Sequence, residues 1–587
     1  MPDERFAKIA RFVVAAQGAC DSLLAMERLT ALLQLRSART RIGAGALARA
    51  CALGALWCAP HAHAQWTDST QAALPIAART GEQVLPQVAA TPDGGAYIAW
   101  FDNFEPGYDV YLQRVNALGE PQWLAPGLLV ADRALSVVQD YTLVVDDQGF
   151  AVLCFGTDGN VAGAPVDVAV QRVSPQGVLQ LPAGGARPAP GGPDKSLPQL
   201  ALLSDGSYAV GWSVPSATNI SEVRLQRMNV AGQPVGALIS LAESGRPLIL
   251  SDIQAGGADG SLIALWVRAA SNSFTAARSL QTQKFSSAGV AQWNGGAPVV
   301  ISGASTVQFA YYPPFLPDGQ GGAVFAWHES AGDRNAYLQR VSSAGALRWA
   351  SPLATSPTST SWINASASLA FDPVTQHAWV ASSETSQPVQ SVFRATCQRF
   401  DAAGNRLWGP DGVEVVGASG LQTFGVQVLR RPSGAVDIIG LGAVDAINDV
   451  VWASGVSATG TVAFQVGVAE NSTQKDRVAA ALGARGNTII AWSDGPFGVA
   501  DIQANSIRGD STLGGPGCTA ADLASAGQLP QGDGELTADD LIVYVNRFFA
   551  QDVSADLASA GQVAVPDGEF TADDLIVYVG RFFAGCR

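Results

Sequence analysis

A glutamine–arginine pair returns along this chain at almost constant intervals. It stands at Gln113-Arg114, Gln171-Arg172, Gln226-Arg227, Gln283-Lys284, Gln339-Arg340 and Gln398-Arg399, with spacings of 58, 55, 57, 56 and 59 residues. A glycine follows five or six residues later: Gly119, Gly177, Gly232, Gly289, Gly345 and Gly404. A worn seventh copy, Ser454 to Gly460, keeps the spacing without the pair. A short apolar run ending in an aromatic residue recurs at Trp100, Phe155, Trp212, Trp266, Trp327 and Trp492, with Val380 and Leu441 as its weaker copies. Counted together these make eight units.

Each unit alternates apolar and polar residues over short runs bounded by Gly, Pro, Asp and Ser, the pattern of strands and tight turns. No sustained helical period occurs between 65 and 510. A period near 57 accommodates four short strands with one long loop, although it exceeds the roughly 40–50 residues common in such repeats. One small sheet cannot bury both of its faces; sheets stacked radially can, and leave only short edges. The expected fold class is therefore mainly β: a β-propeller of about eight blades over 65–510. The last unit, from Arg477 to Ile507, lacks an outer strand before Gly514-Gly515-Pro516. Residues 65–80 resemble the outer strand of the first unit, so the N-terminal strand is expected to complete the last blade. Seven blades plus a stray unit is the competing count.

Composition agrees with a folded, turn-rich chain: 48% hydrophobic and 14% charged, with 63 Gly and 32 Pro among 587 residues. Residues 36–64 run from arginines through an apolar stretch to Ala62-His63-Ala64, which reads as a secretory signal cleaved before Gln65, with Met26 as a possible true start. That segment is too short and interrupted for a stable membrane span. The protein is thus expected outside the cytoplasm, secreted or at the cell surface. Residues 1–64 carry eight of the basic and four of the acidic side chains, so the remainder has a formal charge of −19 against −15 for the whole chain. So acidic a surface disfavours nucleic acid as a partner. Divalent cations, neutral sugars and proteins fit better.

Cys154 and Cys397 fall in strands of different units and read as small buried hydrophobes. Cys518 and Cys586 bracket the C-terminal segment and, in an oxidising compartment, are the expected disulfide. Between them, after a linker at 511–517, lie two copies of one text: ADLASAGQLPQGDGELTADDLIVYVNRFFA (521–550) and ADLASAGQVAVPDGEFTADDLIVYVGRFFA (555–584). Each ends in an amphipathic helix. Thr537 and Asp540 form a capping-box variant, and Leu541, Val545 and Phe548, with Ile542 and Phe549 beside them, form the apolar face. Short helices need a partner, so the copies are expected to face each other and bury Leu541, Phe548, Leu575 and Phe582.

The run Asp-Gly-Glu-Leu-Thr-Ala-Asp-Asp resembles the second half of a calcium loop, and the segment 518–587 is similar to tandem dockerin modules, in particular the GC-type framed here by Gly517-Cys518 and Gly585-Cys586. The resemblance implies calcium, with Asp533 at the fifth loop position, the Glu535 carbonyl at the seventh and Asp540 at the twelfth. Asp567, Glu569 and Asp574 are their counterparts. The first and third positions depart from the pattern, being Leu529 and Gln531 in one copy and Val563 and Val565 in the other; Asp522 and Asp556 are the carboxylates that would make up the set. The alternative is a metal-free turn in which these aspartates bond backbone N–H groups and favour the helix N-termini. Dockerins attach exported proteins to receptors, which implies anchoring or assembly on a cell-envelope receptor.

Residues repeated in every blade read as structural: the Gln-Arg pairs bonding or stacking between sheets, and the tryptophans as core. Function belongs where units differ, in the loops after the tryptophan strand, which a ring gathers on one face. The candidates there are Asp102, Phe104, Tyr108, His328, Glu329, Asp333, Arg334 and Asp494. His328 and Glu329 are adjacent on a strand and so point to opposite faces. With the signal removed, His328 and His377 are the only histidines, too few for a histidine-rich zinc site. The sequence holds no nucleophile elbow, no phosphate loop and no sialidase-type box. The reading these features favour is a non-enzymatic secreted binding or scaffold protein whose propeller face takes a glycan or protein ligand. The alternatives are a secreted polysaccharide hydrolase or lyase, whose paired carboxylates sequence cannot locate, and a surface-layer component.

Overall fold

Strand-length apolar runs separated by Gly- and Asp-rich turns form antiparallel meanders, and there are eight of them. The structure is a computed structural model. It describes residues 66–584 other than 139, 216–220, 303–306, 309, 330–333, 358–360, 420–421, 446, 510, 515–520, 522, 525–527, 529–535, 553–554 and 560–567, and other than the side chains of 581, 583 and 584. The expected signal segment and both C-terminal cysteines lie outside the described residues.

In chain order, blades I to VIII span 83–131, 142–186, 196–241, 248–300, 315–354, 362–419, 423–473 and 475–507. Each runs from an inner strand to an outer one by successive antiparallel pairings. Blade VI carries a fifth short strand, and the fourth strand of blade II is reduced to the bridge between Val170 and Ala186. The eight inner strands touch in sequence around the axis, and the first, Gln83–Ala90, meets the last, Lys475–Leu482, so the ring is closed. The outer strand of blade VIII is Leu74–Ala77, paired with Asp501–Ile507 through Leu74–Ala504, Pro75–Gln503 and Ala77–Ile502. The chain thus forms a mainly β, eight-bladed propeller closed by its N-terminal strand, followed by two small C-terminal helices.

The hydrophobic core is divided among the seams between blades. Eight separate clusters of buried residues lie one at each seam; that between blades VIII and I holds Trp66, Ile98, Trp100, Ile489 and Ile502, and that between IV and V holds Ile263, Trp293, Phe325 and Trp327. The strand tryptophans Trp100, Trp212, Trp266, Trp327 and Trp492 are all fully buried there. Cys154 and Cys397 are free and buried, as the sequence suggests.

Register corrects two expectations. The Gln position pairs with Ile98 in blade I, Val380 in VI and Ile438 in VII. The residue equivalent to Trp100 is therefore Ser382 in blade VI and Gly440 in blade VII, not Val380 and Leu441. The glutamines, moreover, do not link sheets. Gln113 accepts from the N–H groups of Arg114 and Trp123 and donates to the Trp123 carbonyl at 3.0 Å, all within its own blade. Gln283 and Gln339 do the same with Trp293 and Trp349, and Gln398 accepts from Trp408 N and donates to Gly409 O, pinning the start of the outer strand to the third. The basic partners pair mainly with the aspartate of the blade's first turn, as in Arg172–Asp146 and Arg340–Asp318, and three of them do bond the next blade as expected, Arg227 at the Ser287 carbonyl, Lys284 at that of Gly321 and Arg399 at that of Ala458.

Four blades are joined to the next by a second tryptophan, ten residues after the glutamine. The indole N–H of Trp123 donates to Pro175 O, Trp293 to Ser343 O, Trp349 to Ala403 O and Trp408 to Ala458 O, at 3.0–3.3 Å. Each ring lies on the turn glycine of the following blade. At Gly345, with φ +81°, a Cβ would come within 2.6 Å of Trp293, so the glycine serves both a left-handed turn and a close approach. At the closure the same part is played by Trp66, which lies on Gly119 and donates from its indole to Ala117 O and from its backbone to Leu118 O, both at 3.0 Å.

The two helices, α1 (Ala538–Phe549) and α2 (Ala572–Ala584), pack around Tyr544 and Tyr578. These rings stack at 3.7 Å and 2°, and each hydroxyl reaches the other copy's neighbourhood: Tyr544 donates to Ala555 O and Tyr578 to Ala521 O. Leu541, Phe548, Leu575 and Phe582 are only half-buried around them, so the tyrosine pair, not the Leu/Phe face, is the centre of the module.

Candidate functional site

Antiparallel order puts the loops between second and third strands of every blade on one face. Loops 101–109 of blade I and 493–501 of blade VIII meet there at the ring closure. Glu82, buried at the start of the first inner strand, ties them: its carboxylate accepts from the Tyr108 hydroxyl at 2.5 Å and from the Gly498 N–H at 2.8 Å. Burial and the Glu82 carboxylate together push the Tyr108 phenol up to about 12. Arg79 pairs with Asp102 at 3.0 Å and lies over the Phe104 ring at 4.6 Å. Sequence reasoning missed Glu82 and Arg79, because neither lies in a loop that varies between units.

Several candidate acids are occupied by structural duties. Two residues beyond the strand tryptophan, Asp102, Glu329 and Asp494 each accept the indole N–H of Trp100, Trp327 and Trp492, at 3.2–3.4 Å. Where that position is Val214 or Arg268, the indoles of Trp212 and Trp266 have no partner. Asp494 also accepts from Asn471 and Thr473. In blade VI the same position is Glu384, fully buried and bonded by Arg394, Thr396 and Asn364.

His328 and Glu329 do diverge. His328 is buried against Tyr311, ring centroids 4.1 Å apart, and burial alone lowers its pKa to about 4. Its Nδ1 has no hydrogen-bond partner. The Arg334 carbonyl accepts from Asn364 N, and Asp333 lies outside the described residues. These blade V candidates sit four blades around from Asp102, Phe104 and Tyr108, so the structure divides the candidates into two groups rather than gathering them.

Among polar residues such as Glu105, Asn160 and Ser271, the loop tips expose large apolar side chains: Phe104 at 51%, Phe274 at 70% and Phe497 at 90%, with Val161, Val389 and Ile447 on three other blades. A cavity of about 510 Å³ lies on the opposite face, among the first turns of blades II to V and lined by Asp146, Arg172, Leu203, Gly257 and Gly319.

In the C-terminal module the carboxylates of the implied calcium loops can be tested in part. Asp533, Glu535, Asp567 and Asp522 lie outside the described residues, as do Cys518 and Cys586. Asp540 is buried, with Oδ1 accepting from the N–H groups of Leu523 and Ala524 and Oδ2 from that of Thr537. Asp574 repeats this with Leu557, Ala558 and Thr571. Burial works to raise the Asp574 pKa, but those N–H donors outweigh it and hold the carboxyl below its ordinary value. Asp556 accepts from Gly568 N at 2.7 Å, and Glu569 is exposed. Both oxygens of each helix-capping aspartate are thus engaged by N–H groups, while half of the carboxylates that the resemblance implies for calcium lie outside the described residues. Among them no group of three or more His, Cys, Asp or Glu could hold a metal, and no helix is long and apolar enough to cross a membrane.

Neither a family model nor a curated protein matches this sequence. Among solved structures the chain is similar to a puromycin hydrolase, at 16% identity and TM-score 0.40, over 74% of this chain and 61% of that one. It is also similar to a polysaccharide lyase, the PL25 ulvan lyase, at 9% identity and TM-score 0.38, over 76% and 96%. A third is prolyl oligopeptidase B from Galerina marginata, at 9% identity and TM-score 0.37, over 71% and 56%. The chain therefore spans about 61% of the puromycin hydrolase it matches. Likenesses this distant carry no argument about activity.

Proposed function

We propose that this is an exported, non-enzymatic binding protein whose propeller docks a protein surface on the face of its second-to-third-strand loops, and whose C-terminal module attaches it to a receptor. The observation that carries the reading is the division of labour on that face. The acids near the loops, Asp102, Glu329 and Asp494, are committed to indole N–H groups, whereas the tips are exposed aromatic and aliphatic residues led by Phe104, Phe274 and Phe497. Apolar tips spread over a face of this kind suit contact with another protein rather than chemistry on a small substrate. The attachment role rests on the dockerin resemblance and on Ile542, Phe549 and Ile576, apolar residues exposed on the two helices. Its calcium-dependent form rests on the resemblance alone, since Asp522, Asp533, Glu535 and Asp567 lie outside the described residues.

The test is binding of the mature chain to an array of purified extracellular proteins, with the triple variant Phe104→Ala, Phe274→Ala, Phe497→Ala as control. The expected result is a ligand whose binding the triple variant loses while its melting temperature is unchanged. Binding untouched by the triple variant, or new reducing ends or unsaturated products from a polysaccharide panel, would overturn it.

A further inference from the structure

At the corner of the loop face where the ring closes, three large apolar side chains stand exposed on two loops. They are Phe104 at 51% on blade I, and Phe497 at 90% and Val499 at 61% on blade VIII. These loops belong to the first and last blades, and one short stretch of chain, residues 82–83, is bonded to both. Glu82 O accepts from Asn103 N at 3.1 Å, and the Glu82 carboxylate accepts from Gly498 N at 2.8 Å. Gln83 N donates to Ala500 O at 2.6 Å. A surface seated on Phe104 and Phe497 together therefore spans the closing seam.

The same corner is acidic. Residues 79–82, 101–109 and 493–501 hold six carboxylates, those of Glu82, Asp102, Glu105, Asp109, Asp494 and Asp501, against one cation, Arg79. Arg79 is engaged by Asp102 at 3.0 Å and lies 4.6 Å from the centres of both the Phe104 and Tyr111 rings. Glu105 is exposed, and Asp494 and Asp501 are partly exposed. Burial raises the Asp501 pKa, and the charge of Asp494, opposite it on the neighbouring strand, adds to the rise as a like charge does. Phe274 on blade IV lacks these surroundings: its loop, 269–277, holds no acid and is bounded by Arg268 and Arg278.

We propose that the closing corner docks a basic protein, one presenting an apolar patch rimmed by Lys or Arg, and that this partner holds the ring shut. The inference rests on the loop face being a protein-docking surface, and narrows it to one corner and one sign of charge. A Lys or Arg rim pairs with Glu105, Asp494 and Asp501 while an apolar centre covers Phe104, Phe497 and Val499. An acidic partner would bury those carboxylates without countercharge. A second copy of this chain would set the same acids face to face, and a free cation would leave the apolar side chains in water. Because the contact spans blades I and VIII, binding favours the closed ring over any state in which Leu74–Ala77 has left blade VIII.

The experiment screens the chain from Gln65 onward against an array of purified extracellular proteins, half of them basic and half acidic. Binders are expected from the basic half. Their affinity should fall about tenfold or more in Phe104→Ala with Phe497→Ala, and Phe497→Ala alone, at a side chain 90% exposed, tests the patch without touching the fold. Association should slow with added NaCl and with Glu105→Gln. Leu124→Ala, at an exposed side chain in a third-to-fourth-strand connection, should change nothing. Bound partner should slow hydrogen exchange of Leu74–Ala77. Acidic binders, association that salt leaves unchanged, or exchange of Leu74–Ala77 that the partner leaves unchanged overturns the proposal. Binding kept in the Phe104→Ala, Phe497→Ala variant and lost in Phe274→Ala overturns it while the loop-face reading stands; an array without any binder overturns both.

Discussion

Trp66 is the joint on which ring closure depends, and replacing it with alanine should show this quantitatively. The side chain is 7% exposed. Its removal leaves a cavity over Gly119 and strips the Ala117 carbonyl of its donor. Large-to-small changes at buried tryptophan cost about 3–5 kcal/mol, and an orphaned buried carbonyl adds about 1 kcal/mol or more. Trp66→Ala should therefore lower the unfolding free energy by about 4–6 kcal/mol in urea titrations of the chain from Gln65 onward. Trp293→Ala makes the same kind of loss between blades IV and V and should cost a similar amount. The two differ in where the damage appears. Blades IV and V remain tied by the chain itself, whereas at the closure Trp66 and Leu74–Ala77 are what hold the outer edge of blade VIII. Hydrogen exchange of Asp501–Ile507 should accelerate strongly in Trp66→Ala and remain at wild-type rates in Trp293→Ala. A loss below about 1 kcal/mol, or exchange in 501–507 that responds equally to both variants, would refute the reasoning.

Three other outcomes are expected. His328 has its pKa lowered from 6.5 to about 4 by burial, so the unfolded chain takes up the proton first; stability should be full above pH 6.5 and fall by about 3 kcal/mol as pH drops to 4, a slope that His328→Phe should remove from pH-dependent urea midpoints. The Asp574 carboxyl is held low by backbone N–H groups, so its contribution is present above its unfolded value of 3.8 and lost as pH falls through the lower folded value; exchange protection of Ala572–Ala584 should survive EDTA at pH 7 and fail in Asp574→Asn, and loss of protection on adding EDTA would count against a metal-free module. Asp102 is fully buried and accepts from Arg79, Trp100 and Phe104 N; Asp102→Ala strands the Arg79 charge and should cost about 3–5 kcal/mol, read as a drop in the urea midpoint, with a loss under about 1 kcal/mol speaking against the pairing.

The blade count and the closing strand were legible because repeats of one phrase must form similar sheets, and an incomplete last copy needs its missing strand from elsewhere. The joint between blades lies ten residues past four of the six glutamines, at Trp123, Trp293, Trp349 and Trp408, and its absence from the other units kept it from standing out beside the repeating pair. That pair turned out to hold each blade to itself through its glutamine, while Arg227, Lys284 and Arg399 also reach the next blade. Spacing also misplaced the tryptophan position in blades VI and VII, since loop lengths vary there and only cross-strand pairing reveals Ser382 and Gly440. In the C-terminal copies the caps at Thr537 and Asp540 follow from local chemistry. The centre at Tyr544 and Tyr578 follows from the near-twofold relation of the copies, which brings identical residues face to face and which no single helix encodes. The site residues were least legible: a carboxylate in a variable loop looks the same whether it awaits a ligand or an indole two residues behind it.

The tryptophan-on-glycine contact has a direction, always from one blade to the next, and where the tryptophan is missing, at Gly232 and Gly289, an aliphatic side chain, Leu181 or Ile239, takes its place. Nothing in such a joint counts how many wedges have gone before. Ring size must then be governed by the taper of the blades and the bore they leave, not by any special terminal chemistry. A gene that gained or lost one 57-residue module would still meet itself correctly at each remaining boundary, with only the central opening made wider or narrower.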